Sequence, residues 1–197
     1  MADEVLVNSA FTASVFRESF RFISTVPSIL YPVCASCGAT RERERESTVL
    51  TSLSSSQAMN LSAFDVPIAS DALASIDTHG RAFFLSINRY ERKKNHALAI
   101  EAFASLETRL PRQRFESLQL VIAGGYDERV VENVEHAAEL EALAKSHGVQ
   151  DRVTFLRSVN EMQKLSLLAN CIGVIYTPAN EHFGIVPVEA MYMRKVR

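Results

Sequence analysis

Two glutamates near the end of the chain bracket a turn whose residue types suit a sugar nucleotide. Glu181 and Glu189 are separated by seven residues that include Gly184 and Pro187. Proline is tolerated at the first helical position, so a helix is predicted to begin near Val186. The backbone amides that open this helix would form an anion site. Glu189 could then accept hydrogen bonds from vicinal hydroxyls such as those of a ribose, with Glu181 on the sugar side of the same ligand.

The same two carboxylates also allow a purely structural interpretation. Glu189 could complement the helix dipole, and Glu181 could be an exposed residue. The spacing by itself leaves both alternatives open.

Two further segments carry residues that could bind a diphosphate. Arg89 follows an apolar run, and Lys94 stands at the start of the next predicted helix. An arginine fork and a lysine ammonium could clamp a diphosphate without a metal, although a solvated basic loop is the alternative. Gly124-Gly125 ends a second apolar run, where glycine allows positive φ or a close approach of the backbone to a ligand. Paired glycines also end many strands for steric reasons alone.

The elements that must position these residues alternate between strand and helix. Four short apolar runs predict buried parallel strands: Phe83–Ile87, Leu118–Ala123, Val153–Leu156 and Ile172–Thr177. Amphipathic segments predict the helices between and after them: Asn95–Glu107, Val130–His147 with Gly148 as its cap, 161–170, and Val186–Met193. In the first of these helices, the predicted apolar face comprises Leu98, Ala102, Phe103 and Leu106. This order is typical of an α/β fold with a parallel, doubly wound, Rossmann-like sheet, in which ligands bind beyond the carboxyl ends of the strands.

The chain is predicted to have three parts. Residues 1–33 contain a short strand near residues 4–9 and a helix near 12–20. Residues 34–80 are a solvated low-complexity linker, since they contain an alternating Arg-Glu run and a Ser/Thr-rich stretch. Residues 81–197 form the α/β domain.

Composition excludes several classes of function. A net charge of -2 offers no electrostatic reason to bind nucleic acid, and no apolar run reaches the roughly 20 residues that span a bilayer. Cys34 and Cys37 lack a second ligand pair, so a plain loop is favoured over a metal or redox site, and Cys171 is predicted in the core. His136 and His182 are predicted to lie on a surface or a helix face, without a ligand set around them.

These motifs together resemble the retaining glycosyltransferases of the two-Rossmann-domain (GT-B) type, group 1 or family 4. The match is to their C-terminal, nucleotide-sugar-binding domain. The family's positions correspond to Arg89, Lys94, Gly124, Glu181, Phe183, Gly184 and Glu189. Residues 84–95, 123–129 and 176–187 are especially similar to mannosyltransferases that extend the dolichol-linked oligosaccharide precursor. Residues 5–12 resemble the end of the family's N-terminal, acceptor-binding domain.

The resemblance implies GDP-mannose as the donor and a dolichol-diphosphate-linked mannosyl-chitobiose as the acceptor. Transfer in α-1,3 and α-1,6 linkage with anomeric retention, and without a metal or other cofactor, is expected at the cytosolic face of the endoplasmic reticulum membrane. Other glycosyltransferases of the same pathway are possible partners. Arg89 and Lys94 would neutralise the leaving diphosphate, while Glu189 would hold the ribose and Glu181 would orient the mannose. Backbone donors would come from Phe183, Gly184 and Ile185, with close ligand approach at Gly124 and Gly125.

The chain also departs from the family pattern. Only residues 1–33 could be a remnant of the acceptor domain, and the family continues after Met193 into a further strand and helices. The donor domain is therefore predicted to be incomplete at its C-terminus, and this chain alone is predicted to be inactive. Three alternatives remain open at this point: part of a mannosyltransferase, a non-catalytic GDP-sugar-binding module, and a non-functional truncated product.

Overall fold

The computed structural model describes residues 6–7, 10–21, 26–29, 80–181 and 184–195. The predicted linker 34–80 lies outside these residues except for Gly80, and so do Cys34 and Cys37. The chain divides into two units, one comprising Met1–Val66 with Asn180–Ile185 and the other Pro67–Ala179 with Val186–Arg197.

The first unit begins with a small β-α-β arrangement. Strand β1 (Leu6–Val7) leads into helix α1 (Ala10–Ser19), and strand β2 (Ser28–Ile29) follows. The two strands pair in parallel, with Leu6 opposite Ser28. The strand and helix predicted for the first 20 residues are therefore present.

The second unit contains the alternating elements that the sequence predicts. Its strands are β3 (Ala82–Ile87), β4 (Leu118–Gly124), β5 (Val153–Arg157) and β6 (Gly173–Val174). Its helices are α2 (His96–Ala104), α3 (Leu106–Arg109), α4 (Arg112–Glu116), α5 (Val131–Ser146) and α6 (Glu161–Asn170), and α7 (Ile185–Tyr192) runs from the last residue of the first unit into the second. Gly148 has φ +71°, which is the left-handed conformation expected just beyond the end of α5.

The sheet of the second unit is parallel and doubly wound, as predicted. Its strand order is β5-β4-β3-β6, with Phe84 opposite Leu120 and Gly173. The chain moves outward from β3 through β4 to β5 and then crosses back to the other side of β3. This reversal is the topological switch point, beside which ligands bind in open α/β sheets.

Burial on both faces explains why the sequence of β4 is largely hydrophobic. All seven residues of β4 are buried, because helices cover both faces of a parallel sheet. Each fully buried large aliphatic or aromatic side chain contributes about 1.5–3 kcal/mol relative to an exposed one. Strand β6 is shorter than predicted, since only Gly173 and Val174 pair with β3, and on its other side Val174 donates to the Lys195 carbonyl at 3.3 Å.

The predicted apolar face of α2 is wrong in its orientation. Leu98 is 47% exposed, and Ala102 is exposed as well. The buried residues of this helix are His96, Ala99, Ile100 and Phe103. Their spacing is the i, i+3, i+4, i+7 pattern of a helix face, but a polar histidine occupies its first position and hides the pattern from a count of apolar residues.

Candidate functional site

The loop after β3 runs against the end of β4, and this contact places Arg89 beside the glycine pair. Asn88 donates its backbone N–H to the Ala123 carbonyl at 2.9 Å, and Tyr90 donates to the Gly125 carbonyl at 3.0 Å. A Cβ atom on Gly125 would lie 3.5 Å from Cγ of Arg89. The Arg89 side chain is 75% exposed, with Nη1 3.6 Å from Oε1 of Glu91. Its charge therefore reaches solvent at the carboxyl edge of the sheet.

Gly124 is required by its surroundings as well as by its backbone conformation. It has φ +149°, and a Cβ atom there would come within 1.8 Å of the Asn88 carbonyl oxygen. The two loops thus approach each other at a distance that no side chain on residue 124 permits. The steric interpretation of the glycine pair holds for Gly124, whereas Gly125 has ordinary space around its Cα.

Lys94 lies on the other side of the same loop. It closes a single 3₁₀ turn, Arg92–Lys94, and its carbonyl accepts a hydrogen bond from Oγ1 of Thr177 at 2.8 Å. Thr177 follows β6, and Gly125 follows β4. The segment from Arg89 to Lys94 therefore contacts the residues that follow both of the strands next to β3. The Lys94 side chain is half-buried.

A buried histidine holds the loop that contains Arg89 through a hydrogen bond to the Arg89 carbonyl. The His96 ring is fully buried, with Nδ1 3.2 Å from Oγ of Ser86 and Nε2 3.1 Å from the Arg89 carbonyl oxygen. Burial lowers the pKa of His96 to about 4, and the hydrogen bond to the Arg89 carbonyl opposes this shift only in part. The ring is therefore neutral at physiological pH.

The expectation that His136 lies at the surface is wrong. It lies on a helix face, but that face points inward and the residue is only 5% exposed. Its ring centroid is 6.2 Å from that of His96, and its Nδ1 is 3.3 Å from Oε2 of Glu139. The polar type of His136 concealed its place among the buried residues of α5.

Glu189 is buried on α7 and bonds a lysine through one of its two carboxylate oxygens. Oε1 lies 2.6 Å from Nζ of Lys164 on α6, and the two side chains are 6% and 22% exposed. Oε2 is buried without a hydrogen-bond partner in the part of the chain that the structure describes. Burial raises the pKa of Glu189, while the hydrogen bond and charge of Lys164 act in the opposite direction. The carboxylate thus has one anchored oxygen and one oxygen that still lacks a donor.

The other predicted site residues in the Glu181–Glu189 segment belong to the first unit. Glu181 is half-buried, Gly184 has φ +53°, and Ile185 is the first residue of α7 and is 53% exposed. Helix α7 begins one residue before the predicted start, with Pro187 in its first turn. Phe183 and His182 lie outside the described residues.

Within the second unit, the structure places Arg89 beside Gly125 and its neighbour Asn88 against Gly124, with Lys94 on the same loop as Arg89. Glu189 lies in the same unit on α7. Asn133, Lys164 and His96, which hold these residues in place, were missed by the sequence analysis. Each bonds a residue at least seven positions away, and no local pattern marks such a partner.

Outside the candidate site, the described residues that could bind a metal or act as a nucleophile have structural roles instead. Among the described residues, no group of three or more His, Cys, Asp or Glu side chains could hold a metal ion. Cys171 is buried as predicted, its thiol donates to the Leu168 carbonyl, and burial raises its pKa to about 11. No helix in the described part of the chain is long and apolar enough to cross a bilayer.

Comparison with known proteins places these features in a family. Residues 74–196 match the model of the glycosyl transferases group 1 family. The chain therefore belongs to this family of glycosyltransferases, and the parallel sheet with its switch point is the fold that such a domain requires.

Several relatives that are similar in sequence are mannosyltransferases. The chain is 46% identical over 196 residues to the human alpha-1,3/1,6-mannosyltransferase ALG2, 44% identical to the mouse protein and 34% identical over 217 residues to the Saccharomyces cerevisiae protein. These alignments cover 98% of this chain but only 41%, 41% and 37% of the relatives. The chain thus spans well under half of the length of the proteins that it matches.

Solved structures confirm the fold at lower sequence identity. Sucrose-phosphate synthase from Thermosynechococcus elongatus superposes with a TM-score of 0.65 at 22% identity, covering 98% of this chain and 39% of that one. Anabaena Alr3699/HepE, solved in complex with UDP and glucose, gives 0.64 at 20% identity and covers 99% and 43%. Both comparisons support the GT-B architecture.

Proposed function

We propose that this chain carries the donor-binding part of an enzyme that transfers mannose from GDP-mannose to a dolichol-diphosphate-linked mannosyl-chitobiose. The support is its similarity to ALG2 mannosyltransferases of animals and fungi, together with the family to which it belongs. Transfer forms α-1,3 and α-1,6 linkages and retains the anomeric configuration of the donor. GDP leaves as an acceptor hydroxyl takes its place on the sugar.

In this proposal the positive charges act on the leaving group. Arg89 and Lys94 neutralise the diphosphate as the bond to mannose breaks, in place of a bound metal. Gly124 and Gly125 let the ligand approach the backbone closely. The exposure of the Arg89 side chain, whose Cγ lies beside Gly125, supports this assignment.

The remaining groups act on the sugars. Glu181 orients the transferred mannose, and Glu189 binds the ribose hydroxyls. Phe183, Gly184 and Ile185 supply backbone donors.

The observation that carries the proposal is the buried Glu189 oxygen that has no hydrogen-bond partner among the described residues. A buried carboxylate oxygen without a donor is costly, because it has lost its hydration and gained nothing in exchange. A ribose hydroxyl would supply the missing hydrogen bond. Lys164 meanwhile holds the other oxygen at 2.6 Å and favours the charged form that accepts this bond.

The cytosolic face of the endoplasmic reticulum membrane is the proposed location, because the lipid-linked acceptor and the nucleotide sugar would meet there. Glycosyltransferases of neighbouring steps are the proposed protein partners. A second candidate function is a GDP-sugar-binding module without transfer activity, which the same proposed donor contacts would support.

GDP is expected to stabilise the 197-residue chain against thermal unfolding. A ligand at a hundredfold excess over its Kd adds roughly 2.7 kcal/mol to the free energy of unfolding. In Arg89→Ala and in Glu189→Gln, we expect about tenfold weaker GDP binding, as each loses one charge-assisted contact. Differential scanning fluorimetry with increasing GDP measures both effects. Arg109→Ala and Glu101→Gln remove exposed charges of the same types and should keep the wild-type response.

A folded wild-type chain whose melting temperature is insensitive to millimolar GDP would contradict the donor-binding assignment. Incubation with GDP-mannose and a synthetic dolichol-diphosphate acceptor, followed by mass spectrometry, then tests whether these 197 residues suffice for transfer. A mannosylated lipid would identify a transferase and exclude the binding module, whereas GDP binding without product agrees with both candidate functions.

A further inference from the structure

One buried asparagine joins the two loops that carry the proposed diphosphate contacts. Asn133 lies in the first turn of α5 and is 7% exposed. Its Nδ2 donates to the Tyr90 carbonyl at 2.9 Å, and its Oδ1 accepts from the Asp127 N–H at 3.0 Å. Tyr90 is the neighbour of Arg89, and Asp127 lies two residues after Gly125. A single side-chain amide therefore bonds the backbone of both loops.

The chemistry of this position calls for an amide. The Tyr90 carbonyl needs a donor and the Asp127 N–H needs an acceptor, and a primary amide offers one of each on adjacent atoms. An aspartate could accept from Asp127 but would place a carboxylate oxygen against the Tyr90 carbonyl. An alanine would remove the partner of the buried Tyr90 carbonyl and of the partly buried Asp127 N–H, and the loss of a partner is costly for a buried polar group.

The same helix holds the loop at a second point. Oε1 of Glu132 accepts a hydrogen bond from the backbone N–H of Arg92 at 3.0 Å. The Arg92 guanidinium bonds Oε1 of Glu139 at 2.6 Å and Oε2 of Glu135 at 3.0 Å. Helix α5 thus holds the loop after β3 through the backbone N–H and the guanidinium of Arg92, close to the Asn133 contacts. The loop is restrained by a rigid element, which is the arrangement that keeps a binding group in a fixed geometry.

We infer that Asn133 is a positioning residue that sets the spacing between Arg89 and the Gly125 loop, so that both act on one diphosphate. The inference rests on the proposed function, because it assigns a purpose to the distance between two donor-binding loops. Asn133 itself does not touch the ligand in this account. Its effect passes through the Tyr90 carbonyl to Arg89, and through the Asp127 N–H to the loop after Gly125.

The test compares the affinities of two nucleotides that differ by one phosphate. Titration calorimetry on the 197-residue chain gives the Kd values of GDP and GMP for wild type, Asn133→Ala, Arg89→Ala and the double variant. In Asn133→Ala we expect GDP to bind about fivefold more weakly, the loss of about one hydrogen bond, while GMP changes by less than about twofold. Because part of the effect of Asn133 passes through Arg89, the loss of GDP affinity in the double variant should be smaller than the sum of the two single losses.

The matched control is Asn170→Ala, which removes an asparagine side chain that bonds the Ser166 carbonyl within its own helix. It should leave both affinities unchanged. Equal weakening of GDP and GMP in Asn133→Ala, no weakening of either, or full additivity with Arg89→Ala would each overturn the inference. If Asn133→Ala does not fold, Asn133→Asp is measured against the same criteria, and failure of both to fold would make the residue purely structural. A folded wild type that binds neither nucleotide would instead refute the proposed function.

Discussion

Gly124→Ala is expected to lower the free energy of unfolding by about 3 kcal/mol or more and to abolish GDP binding. The new methyl group would lie 1.8 Å from the Asn88 carbonyl oxygen and 2.5 Å from its carbon. Both are backbone atoms, so no side-chain rotation can relieve the overlap. A φ of +149° adds strain for any residue with a Cβ. The chain can respond only by separating the loops after β3 and β4, which are the loops proposed to hold the diphosphate.

Two glycines of the same unit serve as controls for this substitution. A Cβ on Gly125 would meet Cγ of Arg89 at an ordinary 3.5 Å, so Gly125→Ala should be close to wild type in stability. Gly148 has φ +71° but open space around it, so Gly148→Ala should cost only about 1 kcal/mol of conformational strain. Urea unfolding of the three variants measures the differences. If Gly124→Ala were as stable as Gly125→Ala, the close approach of the two loops would not exist in solution.

Acidification from pH 7 to pH 5 is expected to lower the free energy of unfolding by about 2 kcal/mol through His96 alone. The pKa of this buried ring is lowered from 6.5 to about 4 in the folded chain. At pH values between these two pKa values, the unfolded chain binds a proton on His96 that the folded chain does not. The stabilising contribution of the neutral ring is therefore complete above pH 6.5 and declines as the pH falls toward 4. Hydrogen bonds to the backbone of Arg89 and Asn88 raise the pKa of the ring in part, while electrostatic interactions with His136 and Lys94 lower it further.

Glu189 contributes to the pH dependence in the opposite sense. Its pKa is raised in the folded chain, so its contribution to stability is largest at low pH and is lost as the pH rises through that raised value. The His96 contribution is therefore isolated by comparing wild type with His96→Gln in urea unfolding at pH 7 and pH 5. The variant should lose most of the decline, while His147→Gln, at an exposed position, should keep it. An unchanged decline in His96→Gln would show that the ring is not the responsible group.

Short-range patterns in the sequence were sufficient to predict the alternating elements of the second unit. A strand covered on both faces is largely apolar, which is why Leu118–Ala123 could be recognised without knowledge of its neighbours, although it contains Gln119. The capping box at Asn160 and Gln163 and the left-handed Gly148 are likewise local features that set helix ends. The alternation of strand and helix predicts a parallel sheet. A parallel sheet in turn predicts a ligand site at the carboxyl ends of its strands.

The residues that complete the candidate site were decided only by the tertiary structure. Glu189 bonds Lys164, which is 25 positions away in the sequence, and Asn133 bonds Tyr90, which is 43 positions away. In the sequence these polar residues look like the many solvated polar residues of the chain. His96 was missed for a related reason, since its polarity concealed that it begins the buried face of α2.

The sequence by itself therefore determined the elements, the class of fold and the residues at the strand ends, because backbone conformation and one-sided burial depend on near neighbours. The tertiary structure alone decided that Gly124 must be glycine and that Asn133 joins two loops. It also decided that one oxygen of Glu189 has no partner within the described ranges of the chain. Each of these depends on atoms that distant parts of the chain bring within a few ångströms, and no pattern of neighbouring residues records such a distance.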